Sequence, residues 1–322
     1  MNISRERNKQ APAEGSPMKI ILRLVSFSLC LVLLCGCALG EAHVCAASSS
    51  EPFDGSTPLL NLYICPLYGA DCMVMTYGDL TMMIDGGLTE QVDTIRKMLD
   101  EIGVDHLDMF VNSHPHNDHL TGFLTMVEEG TLTADAFYTF FPHDYTEYTV
   151  SQVRAMKLCE EKGIQVIDVT DGDTIPFGGI DIRCMQFKRP KLINSPSVNN
   201  LSGVLRIQYG DCTLLLTGDI DGAAQRDLAR RYDLHCDIVK APHHGITYLD
   251  WAFMKDITPE YMFITHGAGN TATNQQLFDR YKIPYGFASW GMIRLTTDGT
   301  RWLVEQHVED PRLQNDKRLK FY

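Results

Sequence analysis

The feature that most constrains this chain is a cluster of three histidines and one aspartate within six residues. They are His114, His116, Asp118 and His119. An apolar run, residues 107–111, precedes them and has the composition of a buried strand, and Pro115 favours an end to that strand. His114 and His116 are spaced to face one ion. The aspartate and third histidine lie one turn further on and can reach a second ion beside the first.

The type of metal follows from the donor atoms. Zinc is well suited to imidazole nitrogen with carboxylate oxygen, and manganese and iron also accept this ligand set. The alternative interpretation is a polar loop with unrelated histidines. Four potential ligands so closely spaced make a metal site the stronger interpretation. The sequence therefore predicts two divalent metal ions, with zinc favoured over manganese or iron.

The amino-acid composition limits the binding partners that the protein can have. The chain has 322 residues, 44% of them apolar, which is enough to bury a sizeable core. Twenty-eight basic and 41 acidic residues give a net charge of −13. This charge disfavours loose binding to nucleic acid or to anionic membranes. Nucleic acid stays a possible partner only through a local basic groove.

Several motifs resemble those of one superfamily. Residues 114–119, HPHNDH, match the HxHxDH signature of the metallo-β-lactamase superfamily of hydrolases. Residues 214–219, LLLTGD, resemble its strand that ends in a bridging aspartate. Residues 240–245, KAPHHG, resemble a loop of the branch that includes ComEC/Rec2 competence-type domains and bacterial phosphorylcholine esterases. Residues 83–87 and 102–111 also look like that branch, and the resemblance covers roughly residues 58–307.

This resemblance implies a fold, a ligand set and a mechanism. The fold would be α/β of the α+β kind, an αββα metallo-β-lactamase sandwich in a single domain. The implied ligands are His114 and His116 for the first ion, and Asp118, His119 and His244 for the second. Asp219 would bridge the two ions, although a helix N-cap is its alternative role. A water between the ions would lose a proton and attack the substrate.

Further residues are candidates for catalysis. Asp118 is expected to serve catalysis as well as metal binding. His243 would contact substrate, donate a proton to the leaving group, or bind metal in place of His244. Asp85 either steadies a ligand histidine or is a turn aspartate.

Two other residues are candidates for contact with the substrate. Many superfamily members carry a third histidine where this chain has residues 198–202, and Asn200 lies there instead. The branch commonly has asparagine and serine at that place, and the first ion would then have a weaker ligand set. His266, at the end of a predicted strand, is the second candidate because strand-end loops often carry function.

Hydrophobic periodicity predicts the remaining elements. Helices are expected at residues 90–102, 120–128, 151–161 and 223–232. Strands are expected at residues 59–65, 72–77, 80–84, 107–111, 164–169, 180–187, 204–209, 213–217, 237–240, 260–265, 285–288, 291–296 and 301–304. Gly122 is expected to permit close packing beside the site. The aromatic segment 137–148 is either a wall of the substrate pocket or core, and the basic loop 188–197 either binds an anion or is a solvated turn.

The N-terminal region predicts export. Residues 20–34 are almost wholly apolar, which is typical of a signal peptide. Residues 34–37, LCGC, resemble a bacterial lipobox in which Cys37 is lipidated. Cleavage near Ala46 and an uncleaved anchor are the alternatives. The predicted divisions are an extension and signal peptide at 1–37, a linker at 38–57, the hydrolase domain at 58–307 and a tail at 308–322. The chain would be a membrane-anchored extracytoplasmic lipoprotein, or otherwise secreted.

The cysteines do not suggest a disulfide framework, because seven remain after Cys37 and they are widely spaced. Cys65 and Cys72 could pair across a short loop if the compartment is oxidising.

Together these features predict a dinuclear phosphodiesterase that acts on a small-molecule or cell-envelope phosphoester. One alternative is a competence-type nuclease domain. Another is a surface binding protein that holds metal without turnover. Lactam hydrolysis is the weaker enzymatic alternative, because the third histidine is missing.

Overall fold

Short apolar runs bounded by glycine, aspartate or proline form the strands of two sheets. The structure is a computed structural model that describes residues 43–141, 149–188, 197–308 and 310–313. The strands are β1 Val44–Ala46, β2 Leu60–Ile64, β3 Cys72–Tyr77, β4 Leu80–Gly86, β5 His106–Asn112, β6 Thr133–Thr139, β7 Gln165–Asp168, β8 Asp181–Met185, β9 Val204–Tyr209, β10 Cys212–Leu216, β11 Ile238–Lys240, β12 Tyr261–Ile264, β13 Tyr285–Phe287, β14 Ile293–Thr297 and β15 Trp302–Gln306.

The helices that connect them are amphipathic. They are α1 Val92–Ile102, α2 Asn117–Glu129, α3 Val150–Lys162, α4 Gly222–Arg231, α5 Trp251–Ile257 and α6 Ala272–Tyr281. In α1 the buried positions include Val92, Ile95 and Leu99, which recur at helical spacing, and Gly103 ends the helix in a left-handed conformation with φ of 70°.

Both sheets are mixed, with antiparallel and parallel strand pairs. The first has the order β1-β15-β14-β2-β3-β4-β5-β6-β7 and the second β13-β12-β11-β10-β9-β8. In the first sheet β4 to β7 pair in parallel, and in the second β10 to β13 do so. The carboxyl ends of parallel strands lie at the same edge of a sheet, where ligand sites of such sheets usually form.

Apolar side chains from both sheets meet between them. Leu62 of β2, Leu214 of β10 and Trp302 of β15 are fully buried members of this cluster. A second apolar cluster joins α1, α2 and α3 to the first sheet. A third joins α4, α5 and α6 to the second sheet. The order of layers is therefore helix, sheet, sheet, helix.

Four features differ from the sequence-based expectation. β1 lies inside the predicted linker 38–57 and pairs in parallel with β15, so that folded structure begins before Leu59. A three-residue strand held by main-chain pairing has too little pattern to be recognised. α2 begins at Asn117 rather than at Leu120, and helices α5 and α6 were not predicted. Cys65 and Cys72 lie side by side, with Cys65 N donating to Cys72 O at 2.9 Å, but both are free thiols.

Some predictions lie outside the described residues. These are the signal peptide with Cys37, residues 142–148 of the aromatic segment and residues 189–196 of the basic loop. The described part of the aromatic segment is core, because Phe137, Phe140 and Phe141 are buried. Within the described ranges, no helix has both the length and the apolar character needed to cross a membrane.

Candidate metal centre

The predicted ligands come from loops that follow parallel strands of both sheets. β5 ends at Asn112 and leads to His114 and His116, and α2 then begins, with Asp118 and His119 in its first turn. Asp219 follows β10, and His244 follows β11. The sandwich brings these loops together at one edge.

Asp219 is at the centre of the cluster. Its Oδ2 lies 3.2 Å from His119 Nε2, 3.4 Å from His244 Nε2, 3.7 Å from His243 Nε2 and 3.9 Å from His114 Nε2. One carboxylate oxygen therefore faces four imidazole nitrogens. Such a set of donor atoms around one carboxylate oxygen suits divalent metal binding.

The ligands predicted for the second ion lie close together. Asp118 Oδ2 is 3.0 Å from His244 Nε2 and 3.8 Å from His119 Nε2. Together with Asp219 these residues surround one small volume. Asp118 is the most open of them, since 30% of its side chain is exposed.

The ligands predicted for the first ion are fewer. His114 Nε2 lies 3.0 Å from His116 Nδ1, and His114 is fully buried. Asn200, at the place of the usual third histidine, is turned away, because its Oδ1 accepts from Asp221 N at 3.0 Å. Asn199 instead lies near the cluster, with Nδ2 at 3.5 Å from His243 Nε2. Asn199, rather than the predicted Asn200, therefore faces the site.

The loop that carries His243 and His244 has an unusual backbone. His243, His244 and Gly245 have φ of 49°, 55° and 84°, a left-handed run that costs energy at the two histidines. Asn274 of α6 holds this loop, because its Nδ2 donates to Gly245 O at 2.6 Å and to Thr247 O at 2.7 Å. The strain is maintained by specific contacts at the position where both imidazoles enter the site.

Asp85, at the end of β4, contacts His119. Its Oδ2 lies 2.8 Å from His119 Nδ1 and accepts from Ser113 Oγ at 2.7 Å. Its Oδ1 accepts from Ser113 N at 2.8 Å and from Asn112 Nδ2 at 3.1 Å. Because the Nδ1 atom of His119 is engaged, its Nε2 atom is directed towards Asp219.

Two buried charged residues at the site were missed in the sequence. Asp71 Oδ1 accepts from Thr265 Oγ1 at 2.6 Å and lies 3.0 Å from His244 Nδ1, so it fixes that ring as Asp85 fixes His119. Lys240 Nζ lies 2.7 Å from Asp71 Oδ2 and 3.8 Å from Asp219 Oδ1. The available signal was a lysine at the end of the apolar strand that leads to the two histidines.

The electrostatic environment lowers the pKa of Asp71, Asp118 and Asp219 and so favours their charged forms, whereas burial raises the pKa of Asp85. Burial acts to raise the pKa of Asp71, but the Lys240 ammonium and the nearby imidazoles outweigh it and hold that pKa below its usual value. Burial likewise opposes ionisation of Asp118, yet the hydrogen bond with His244 and the neighbouring imidazoles lower its pKa to about 2. Burial lowers the pKa of His114 and of His243, which favours their neutral, metal-binding form.

These residues fit a divalent cation. His119 Nε2 and Asp219 Oδ1 are buried, and neither makes a hydrogen bond to any described residue. Such orphaned polar atoms are rare in folded proteins and call for a partner. Donor atoms of Asp71, His119, Asp219 and His244 all lie within 4.8 Å of one another. Imidazole and carboxylate donors at this spacing suit a divalent metal ion.

His266 lies beside the cluster but not in it. Its ring centroid is 4.4 Å from that of Tyr68, and Gly267 N donates to its Nδ1 at 2.7 Å. It follows Thr265, the residue that bonds Asp71. The two rings therefore lie at the carboxyl end of β12, and contact of His266 with a substrate stays a prediction.

Comparison with solved structures identifies the class of protein. The structure is similar to the metallo-β-lactamase fold protein YhfI from Bacillus subtilis, with a TM-score of 0.50 and 14% sequence identity. The match covers 74% of this chain and 99% of that one. The chain has the metallo-β-lactamase fold, and the predicted fold class is confirmed.

Comparison of sequences narrows the class. No protein-family model matches the chain. Competence protein ComA of Neisseria gonorrhoeae is 28% identical over 193 residues, which are 59% of this chain and 24% of that protein. ComE operon protein 3 of Bacillus subtilis is 21% identical over 170 residues, 52% of this chain and 21% of that protein. The chain therefore spans about a quarter or less of the length of these relatives. Its similarity lies with the ComEC-like branch, as the motifs predicted.

Proposed function

We propose that this protein is a metal-dependent hydrolase that cleaves phosphodiesters outside the cytoplasmic membrane. The observation that carries the proposal is the position of Asp219 Oδ2, within 3.9 Å of four imidazole nitrogens and beside Asp118. The ligands predicted for the first ion and those predicted for the second ion both approach this oxygen, which suits a pair of divalent ions. Zinc is favoured, with manganese or iron as alternatives. Such ions would supply an activated water and polarise the phosphoryl oxygen.

The chain's own residues would orient and stabilise the substrate. Asp118 stays ionised because of its lowered pKa, and its partly exposed oxygens can accept a hydrogen bond from an attacking water. His243 is 28% exposed in its side chain, and its Nδ1 lies 2.9 Å from Thr247 Oγ1. This contact fixes the ring, so that Nε2 can donate to a substrate oxygen or to the leaving group.

The choice of a phosphoester substrate rests on the ComEC-like resemblance. The site chemistry by itself would serve an acyl substrate as well. The net charge of −13 favours a small or envelope phosphoester over nucleic acid. The apolar run at residues 20–34 and Cys37 support an exported, lipid-anchored protein.

The test is hydrolysis of two chromogenic substrates by a chain starting at Ala38. Bis-p-nitrophenyl phosphate and p-nitrophenyl phosphorylcholine would be assayed with added Zn²⁺ or Mn²⁺. Turnover should be lost in Asp118→Ala and retained in Asp135→Ala, a control at an aspartate that is 70% exposed on β6. The ratio of the two rates would indicate the substrate class. Absence of turnover in a metal-loaded protein would reject the phosphodiesterase and favour acyl hydrolysis or a binding role.

A nuclease acting on single-stranded DNA is the second candidate. Its support is the similarity to two proteins named for competence, of which the chain spans 24% and 21%. This function requires DNA binding that weakens steeply as salt increases. Binding measured at two salt concentrations, and cleavage lost in Asp118→Ala, would distinguish it from an esterase of small substrates.

A further inference from the structure

An exposed aromatic surface lies on helices α5 and α6, which cover one face of the second sheet. Trp251 of α5 is 64% exposed and Tyr281 of α6 is 50% exposed. Both line a cavity of about 490 Å³ together with Met254, Lys255 and Ile283. We name these five residues the aromatic flank. Exposed apolar side chains that lie together along one cavity, rather than singly, are typical of contact surfaces.

The described chain begins close to this surface. His43 Nδ1 lies 3.3 Å from Asp237 Oδ1, and Val44 N donates to Glu260 Oε2 at 2.9 Å. Glu260 directly follows Pro259, which also lines the cavity of the aromatic flank. The polypeptide therefore enters the domain beside the aromatic flank.

The sequence before this entry point is short and leads to an apolar run. Eight residues, 35–42, separate His43 from the apolar residues 20–34. An extended chain spans at most about 3.6 Å per residue, so this link reaches about 30 Å at most. If the anchor is a lipid on Cys37, the link is shorter still. Either anchor would hold the entry point close to a bilayer surface.

The chemistry of the aromatic flank suits the interface of a bilayer. Tryptophan and tyrosine prefer the headgroup region, where the ring is apolar and one atom stays hydrated. Lys255 Nζ lies 5.4 Å from the centre of the Trp251 ring. A lysine stem can lie along apolar surface while its ammonium reaches lipid phosphate.

We propose that the aromatic flank contacts the headgroup region of the membrane that carries the N-terminal anchor. The inference rests on the proposed anchoring and extends it to an orientation. Ile283 of the aromatic flank precedes β13, and Pro259, which lines the same cavity, precedes β12, whereas the metal centre follows the opposite ends of the parallel strands β10 and β11. Contact at the aromatic flank thus leaves the metal centre open to the aqueous side.

Contact between the aromatic flank and the membrane can be measured through the fluorescence of the three tryptophans of the chain. Trp302 is fully buried and Trp290 is partly buried beside Phe287, with ring centroids 4.5 Å apart. The full chain, isolated from bacterial membranes, would be reconstituted into phosphatidylcholine and phosphatidylglycerol vesicles. Tryptophan emission would then be compared with and without brominated phosphatidylcholine, which quenches only rings within the bilayer.

We expect quenching in the unaltered chain and in the control Trp290→Phe, and its loss in Trp251→Phe. Equal quenching in Trp251→Phe and in the unaltered chain would overturn the proposal. Protein that binds the vesicles without any quenching would also overturn the proposal, but it would leave the proposed anchoring intact. A chain that never sediments with membranes would overturn anchoring and surface together. Self-association that Trp251→Phe abolishes, without quenching, would assign the surface to a second copy and also overturn the proposal.

Discussion

Lys240 Nζ lies 2.7 Å from Asp71 Oδ2 at a position that solvent does not reach. Both side chains are fully buried, and the lysine also donates to Gly218 O at 3.0 Å. A buried charge is tolerated only when it is paired and hydrogen-bonded. The pair therefore keeps Asp71 ionised and in place, and Asp71 in turn orients His244.

Replacement of Lys240 should show how far the fold depends on its ion pair with Asp71. Lys240→Met removes the ammonium group from beside the buried Asp71 and leaves it only its contacts with Thr265 and the imidazoles, so we expect the free energy of unfolding to fall by about 3–5 kcal/mol. Urea unfolding of the metal-free protein measures this change in the free energy of unfolding. The double variant Asp71→Asn, Lys240→Met removes both charges and should regain much of that loss. An unchanged urea midpoint in Lys240→Met would contradict the assigned role of the pair.

Metal affinity should depend on the carboxylate that holds His119. Asp85→Asn replaces one carboxylate oxygen with an amide NH₂ group, which cannot accept hydrogen bonds from Ser113 and His119. The His119 ring therefore loses its fixed orientation. We expect metal affinity to fall about 10–100-fold, as is usual when the partner of a ligand histidine is removed. Competition with a chromophoric chelator measures this change.

The matched control is Asp173→Asn, in the loop before β8. Asp173 Oδ2 accepts from Thr170 N at 2.8 Å and from Thr170 Oγ1 at 3.0 Å, and among the described residues it belongs to no group of potential metal ligands. This variant should bind metal like the unaltered protein. Equal affinities in both variants would show that Asp85 does not orient His119.

The fold class could be predicted because short local motifs, above all HPHNDH at residues 114–119, resemble those of the metallo-β-lactamase superfamily and are encoded in a few consecutive residues. The neighbours of the ligands were not predictable in this way. Asp71 and His244 are 173 positions apart, and a turn aspartate has no local pattern that indicates such a partner. The orientation of Asn200 depends in the same way on Asp221, across the start of α4. Contacts between distant loops require the folded arrangement of the sheets.

Stability at low pH should depend on Asp171, away from the metal centre. Its Oδ2 accepts from Arg231 Nη1 at 2.7 Å, and its Oδ1 accepts from Tyr232 Oη at 2.6 Å. Partial burial acts to raise the pKa of Asp171, but the hydrogen bonds from Tyr232, Gln186 and Arg231 outweigh it and lower that pKa. A lowered pKa stabilises the fold above the unfolded value of about 3.9, and this contribution is lost as pH falls towards the folded value.

Asp171→Asn should therefore reduce the free energy of unfolding at pH 7 by about 1–3 kcal/mol. The difference from the unaltered protein should shrink as the pH falls below about 3.9. Urea unfolding at a series of pH values measures both effects, with Asp135→Asn as an exposed control. A difference that stays constant down to the lowest pH would argue against an electrostatic contribution.

The close approach of α2 to the end of β4 should limit what residue 122 can be. Gly122 N donates to Gly87 O at 2.8 Å, and a Cβ at this position would fall on the carbonyl oxygen of Gly86. Because the obstructing oxygen of Gly86 belongs to the backbone, it cannot turn aside as a flexible side chain would. Gly122→Ala therefore forces the helix away from the strand. We expect a loss of about 1–3 kcal/mol in the free energy of unfolding, as for other overpacked positions.

The same displacement should weaken metal binding, since Asp118 and His119 lie in the first turn of α2. Gly179→Ala is the matched control, because its Cβ would meet only Tyr77 Oη at 3.8 Å. Urea unfolding and chelator competition on the two variants test both effects. If Gly122→Ala were as stable as Gly179→Ala and bound metal as tightly, the contact between helix and strand would not determine the position of the ligands.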